Sequence, residues 1–165
     1  FSRPLAHVRF SKQAVFAPYL DVNALMFRVV NNRANQLIDV EMEVSLSRLE
    51  TRPDGTRHRR YHALKLERNK VAFFPTNWTI VHAITETSPL FGCTLDEMAE
   101  SDTELLVLFR ALDDTFSQLV HSRTSYRFNE IEWGYKFVPM FDSAQQGTVA
   151  LNLDKLDDTV PAELN

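Results

Sequence analysis

One cysteine, Cys93, and four glycines in 165 residues exclude several kinds of protein at once. A lone thiol closes no internal disulfide, and a chain of this length buries a core without one. With so few glycines there is no Gly-rich phosphate loop, and no G-x-S-x-G elbow occurs, so nucleotide and acyl chemistry have no support. No apolar window approaches the roughly eighteen residues that a membrane helix needs, and the N-terminus lacks a charged leader followed by an apolar core. Excess positive charge is also missing. With 22 acidic against 18 basic residues the net charge is −4, which argues against a nucleic-acid partner. The expectation is a single soluble domain in a reducing compartment. The chain opens on Phe1 rather than Met, as a piece of a longer protein would.

What the chain does have is strand pattern. Ile38, Val40, Met42, Val44 and Leu46 alternate with Asp39, Glu41, Glu43, Ser45 and Ser47, which predicts a long strand with one buried face and one acidic, wet face. Pro53-Asp54-Gly55 supplies a turn and Tyr61 to Leu66 runs back, so 36–66 reads as a long hairpin. Further strands are expected over Leu25 to Val30, Val71 to Phe74 and Trp78 to Ile84, the last followed by a loop fixed by Ser88-Pro89. Thr94 with Glu97 three residues on fits a capping box, so a short helix ends near Ser101. The stretch Glu104 to Trp133 then organises the rest. Leu105 to Phe109 is an apolar run too short for an independent helix, Arg110-Ala111-Leu112-Asp113-Asp114 reads as a charged loop, and a second strand resumes at Thr115. Tyr135 to Phe137 and Val149 to Leu153 are short strands on either side of a polar turn through Gln145-Gln146-Gly147. About nine strands, one short helix and no internal repeat indicate an all-β, immunoglobulin-like β-sandwich. Its expected parts are a connector over 1–9, the sandwich over 10–153 and an acidic tail over 154–165.

Candidate chemistry is sparse. His58 and His62 stand four apart, but on a strand among Arg52, Arg57, Arg59 and Arg60, which repel a cation; no metal site is expected. The arginines themselves suit a phosphate, although such a cluster at a hairpin tip is ordinarily solvated or paired with acids. Cys93 follows Gly92 with no orienting group for a thiol–imidazole dyad and reads as a packing residue. Neither a catalytic nor a cofactor site emerges.

Several segments together carry more than any one of them. Phe1-Ser2-Arg3-Pro4, Leu25-Met26-Phe27-Arg28-Val29-Val30-Asn31-Asn32-Arg33, and Trp78-Thr79-Ile80-Val81-His82 with Ser88-Pro89-Leu90-Phe91-Gly92 come first. Glu104-Leu105-Leu106-Val107-Leu108-Phe109, Arg123-Thr124-Ser125-Tyr126 and Asn129-Glu130-Ile131-Glu132-Trp133-Gly134 follow in order. The chain thereby resembles the cytoplasmic C-terminal domain of inwardly rectifying potassium channels, and most closely their prokaryotic members.

The resemblance implies a homotetramer beneath its own transmembrane pore domain, at the cytoplasmic face of a bacterial inner membrane, with potassium as permeant ion. It makes Arg110 to Asp114 a constricting gate loop; from the charges of that loop, Asp113 and Asp114 are expected to face the ion path and Arg110 to turn to neighbouring acids. It makes Glu86, Ser88 and Arg123 elements of gate support or subunit interface, and Arg3 and Arg33 contacts for anionic lipid head groups. Two departures stand out. Leu5-Ala6-His7 and Ala34 replace basic residues of eukaryotic members, which speaks against strong phosphoinositide activation. Arg110 stands where strong rectifiers carry an acid, which speaks against strong polyamine block. The reading of a different class is a free-standing sandwich module that binds a protein partner along a strand edge.

Overall fold

The computed structural model describes residues 6–142 and 150–165. Its strands run in chain order as β1 (Val8–Phe10), β2 (Ala14–Tyr19), β3 (Val22–Asn31), β4 (Leu37–Thr51), β5 (Arg57–Ala63), β6 (Lys70–Phe73) and β7 (Asn77–Ala83). A single α-helix, α1 (Leu95–Glu100), precedes β8 (Glu104–Asp113), β9 (Gln118–Arg127), β10 (Ile131–Trp133), β11 (Tyr135–Phe137), β12 (Phe141–Asp142), β13 (Ala150–Leu151) and β14 (Thr159–Pro161). The all-β sandwich is borne out. One sheet is built on β3, which pairs with β1, β2 and β7, while β10 joins β2 in parallel; the other is built on β4, which pairs with β5, β6 and β8, and β8 with β9.

The core lies between these sheets. Leu25, Phe27 and Val29 of β3 face Met42, Val44 and Leu46 of β4 and Leu105, Val107 and Phe109 of β8, all buried in one cluster. Tyr126 crosses the layer, its ring tilted against Phe27 and its hydroxyl donating to the Ser11 carbonyl at 2.7 Å. Burial raises its phenol well above the ordinary range.

β3 is buried on both faces because it is covered on both. A second cluster of Val30, Met140 and Leu156 lies behind it. There Arg28 is buried and donates to the carbonyls of Val138, Lys155 and Leu156, with its guanidinium 4.4 Å from the Phe137 ring centroid. β14 pairs with β11. Residues 154–165 are therefore part of the fold and not the trailing segment expected from their composition; Arg28 and Leu156 tie them down.

Other expectations hold locally. The Thr94 hydroxyl caps α1 by accepting from the Glu97 N–H at 3.1 Å, and the 53–55 turn places Gly55 at φ 85, where a side chain is costly. The expected turn at 145–147 lies outside the described residues.

Candidate functional site

The alternation along β4 breaks at its start, and the break shapes the outer face of the second sheet. Leu37, Val40, Met42, Val44 and Leu46 are buried, so an even-numbered inward face from Met42 onward would send Leu37 outward. A register shift between Ile38 and Glu41 corrects the parity. Asp39 is the extra residue, exposed and held at φ 50, a left-handed conformation that aspartate tolerates better than most. Ile38 thereby moves to the outer face, against the strict alternation expected from sequence.

The outer face is charged at its centre. Glu41 of β4 is opposite Arg110 of β8, and Glu43 opposite Leu108. The Arg110 guanidinium reaches both acids, at 3.1 Å from Glu41 and 2.9 Å from Glu43. Those bonds hold the Glu43 carboxyl below its ordinary range and raise the guanidinium. Toward α1 the face opens into a groove of about 630 Å³ floored by Leu106 and Leu108 and flanked by Glu43, Glu104 and Arg123. Toward the other end it turns apolar. Phe73, Ile38, Leu112 and Leu119 are directly paired across β6, β4, β8 and β9, with Phe73 and Leu119 largely exposed.

The segment read as a charged loop over 110–114 is largely strand. β8 continues through Asp113, because Ala111 and Asp113 extend the inward series of Leu105, Val107 and Phe109. The turn itself spans residues 114–117, with Asp114 and Phe116 exposed and Ser117 at φ 49. Asp113 does not face outward. Its carboxylate has no solvent contact, accepting from the Thr115 N–H at 2.9 Å and from the Asn35 side chain at 2.9 Å. The Asn35 bond leads the causes that hold it below the ordinary carboxylate range. Asp113 thus roots the turn, as short acids commonly do two residues before a backbone N–H. His7 Nε2 lies 3.4 Å from the same carboxylate, and an Arg33 guanidinium nitrogen lies 3.1 Å from that Nε2.

The remaining expected residues are scattered within one chain. Ser88 sits in the loop after β7, where its hydroxyl meets Nε2 of buried His82 at 2.7 Å and accepts from the Leu90 N–H. The other ring nitrogen of His82 lies 2.6 Å from the Lys65 carbonyl, and burial lowers its affinity for a second proton. Glu86 is exposed in the same loop, and no hydrogen bond or ion pair among the described residues joins Glu86 or Ser88 to Arg123 on β9. Arg33 is half-buried, and Arg3 lies outside the described residues.

Two of the four arginines in the basic hairpin meet acids, and Arg57 donates to the Glu100 carbonyl. Arg59 and Arg127 pair with Asp102, while Arg48, Arg60 and His62 converge on Glu50. Led by the Arg48 bond, with His62 adding to it, these contacts hold the Glu50 carboxyl down to about 2. Among the described residues no group of three or more His, Cys, Asp or Glu is arranged to hold a metal ion, and no helix is long and apolar enough to cross a membrane.

Sequence reasoning passed over Asp39, since a bulge leaves no mark in an alternating pattern. It also passed over His7 and Asn35, whose distance from Asp113 in the chain hides their contact.

The family model for the inward rectifier potassium channel C-terminal domain matches residues 8–165. The chain is 37% identical over 155 residues to the inward rectifier potassium channel Kirbac3.1 of Paramagnetospirillum magnetotacticum, a match covering 94% of this chain and 52% of that protein. It is 28% identical over 157 residues to the human ATP-sensitive inward rectifier potassium channel 8, covering 92% of this chain and 36% of that one. The chain therefore spans about half, or less, of the length of these relatives.

Proposed function

This chain belongs to the inward rectifier potassium channel C-terminal domain family, and on that premise we propose that it forms the cytoplasmic part of a tetrameric potassium path. Its transmembrane pore domain belongs to the rest of the protein. The observation that carries this reading is the outer face of the second sheet, where Arg110 pairs with Glu41 and Glu43, Asp39 is exposed at the bulge and the 114–117 turn closes one end. On this face Asp39, Glu41, Glu43 and Asp114 outnumber Lys70, Arg110 and Arg123 by one, so each copy carries one net negative charge. Four copies around an axis give a cation-attracting passage.

The magnitudes limit what such a passage does. A monovalent cation about 10 Å from one carboxylate in water gains roughly 0.4 kcal/mol, so four carboxylates give about 1.5 kcal/mol before salt screening. That concentrates cations by about tenfold and tunes conductance. It does not select potassium over sodium, which takes closely spaced dehydrating ligands. In this reading Glu86, Ser88 and Arg123 meet across subunit boundaries, since they do not meet within a chain. Arg33, together with Arg3, faces anionic lipid head groups. Potassium passes as the transported ion and no cofactor takes part.

Single-channel conductance of the full-length channel in low salt tests the reading. Asp114→Asn is expected to lower it, and Arg110→Gln to raise it by removing the cation that offsets two acids. Conductance unchanged in both variants would remove this face from the ion path.

A further inference from the structure

Beside the first sheet lies a cavity of about 390 Å³ that shares no residue with the outer face of the second. The indole of Trp133 lines it, stacked on Phe16 with 4.0 Å between ring centroids and 9° between planes. Phe91, in the loop after β7, lines it as well, although its ring is 56% exposed. The loop holds that ring out by folding on itself. The Phe91 N–H donates to the Ser88 carbonyl at 3.0 Å, the Cys93 N–H donates to the Leu90 carbonyl at 3.1 Å, and Gly92 between them sits at φ 74, which a side chain resists. Ile84, Leu90 and Leu164 add aliphatic surface.

Among the described residues that line this cavity, Asp21 alone is charged. It stands in the turn between β2 and β3, exposed, and no hydrogen bond or ion pair among the described residues engages its carboxylate. Its position is nevertheless fixed. The Asn165 side-chain amide donates to the carbonyls on either side of it, Leu20 at 3.2 Å and Val22 at 2.8 Å, and the Asn165 N–H donates to the Asn23 side-chain oxygen at 2.9 Å. Asp21 thus differs from Glu41 and Glu43, whose charge Arg110 already meets. Aromatic faces carry negative potential and attract a cation, most strongly where water is partly excluded. An uncommitted carboxylate acts in the same direction, and it repels an anion. A bare metal ion is poorly served, since one carboxylate leaves most of its coordination shell unfilled.

We propose that this cavity binds an apolar organic cation, with its hydrocarbon body against the aromatic and aliphatic walls and its ammonium group at Asp21. The body gains from leaving water, and the charge gains from the carboxylate and the rings together. A bound cation touches the β2–β3 turn, the 84–93 loop and the closing 164–165 segment at once, so it braces three pieces of chain that are far apart in sequence. The site goes beyond the channel reading and does not rest on it, because the residues involved are not those of the charged outer face.

The test is calorimetric titration of the full-length protein with phenethylammonium and with phenethyl alcohol, its neutral analogue of the same size. The cation is expected to bind with a Kd on the order of a millimolar, the scale of so small a ligand, and the alcohol about tenfold more weakly. Asp21→Asn weakens the cation about fivefold, as loss of an exposed charge pair does, and leaves the alcohol unchanged. Phe91→Ala weakens the cation as well. Both substitutions fall at exposed positions outside the core, so the fold tolerates them. Equal affinities for the two probes overturn the proposal, and so does the absence of any cation binding. Cation binding that survives either Asp21→Asn or Phe91→Ala also overturns it, since such binding lies elsewhere, the ion path included. A protein that shows the expected pattern and passes no potassium keeps this site and overturns the channel reading.

Discussion

At the scale of single residues, the chain places ionisable groups where folding sets their protonation. His82 is buried with both ring nitrogens engaged, and burial lowers its pKa from an ordinary 6.5. The unfolded chain then binds a proton that the folded chain refuses, so this contribution to stability is complete above about pH 6.5 and is lost as pH falls below it. Urea unfolding between pH 7.5 and 5 is expected to show that decline, and His82→Gln to flatten it; an unchanged slope would mean the ring charges in place. Arg28 poses the opposite case, a cation whose solvation is replaced by three carbonyls. Arg28→Met leaves the carbonyls of Val138, Lys155 and Leu156 unmet in an apolar setting, which costs about 3 kcal/mol. Equilibrium denaturation reads that loss. A cost below about 1 kcal/mol would mean that water reaches those carbonyls.

At the scale of elements, the informative features are the bulge in β4 and the hairpin it forms with β5. Asp39 at φ 50 carries a local conformational cost that glycine would not. Asp39→Gly is expected to raise stability by about 0.5 kcal/mol while removing one exposed acid from the outer face. Destabilisation instead would show that its side chain braces the bulge. Glu50 at the far end of the same strand has its carboxyl held down to about 2 by Arg48 and His62. For a depressed acid the contribution is complete above the unfolded value of 4.5 and disappears as pH falls toward 2. Acid unfolding of Glu50→Gln is expected to lose less stability between those limits than the unaltered chain does. The Arg110 pairs differ in kind. Their partners are partly exposed, so Arg110→Gln changes stability little even where it changes conductance.

At the scale of the whole molecule, two layers and a folded-back end make one unit. The 154–165 segment supplies Leu156 to the second cluster and β14 to β11, so removing it uncovers Val30 and strands the Arg28 guanidinium. Truncation before Asp154 is expected to lower the midpoint of thermal unfolding and to expose the remainder to protease. An unchanged midpoint would return the segment to the status of a tail. Assembly belongs to this scale too. Light scattering of the full-length protein is expected to give four copies, and a monomer would favour the strand-edge module.

The division between what the sequence alone determined and what needed the fold follows the range of the forces involved. Period-two alternation around Met42 to Leu46, the Pro53-Asp54-Gly55 turn and the Thr94 cap are local, each decided within a few residues, and each was legible. The sandwich followed from them. The ordered motifs from Leu25 to Gly134 carried the family. Contacts between distant positions were not legible. An acid followed by an acid at 113–114 looks like a wet loop until the inward parity of Leu105, Val107 and Phe109 is carried forward to Asp113, and only its meeting with Asn35 and His7 makes burial of that charge tolerable. Arg28 amid an apolar run, and the acidic stretch that covers it, have meaning only once the chain end folds back over β3. Local patterns set which segments become strands. Only the tertiary structure decided which charges lie inside, because a buried charge is stable only beside partners that chain order does not predict.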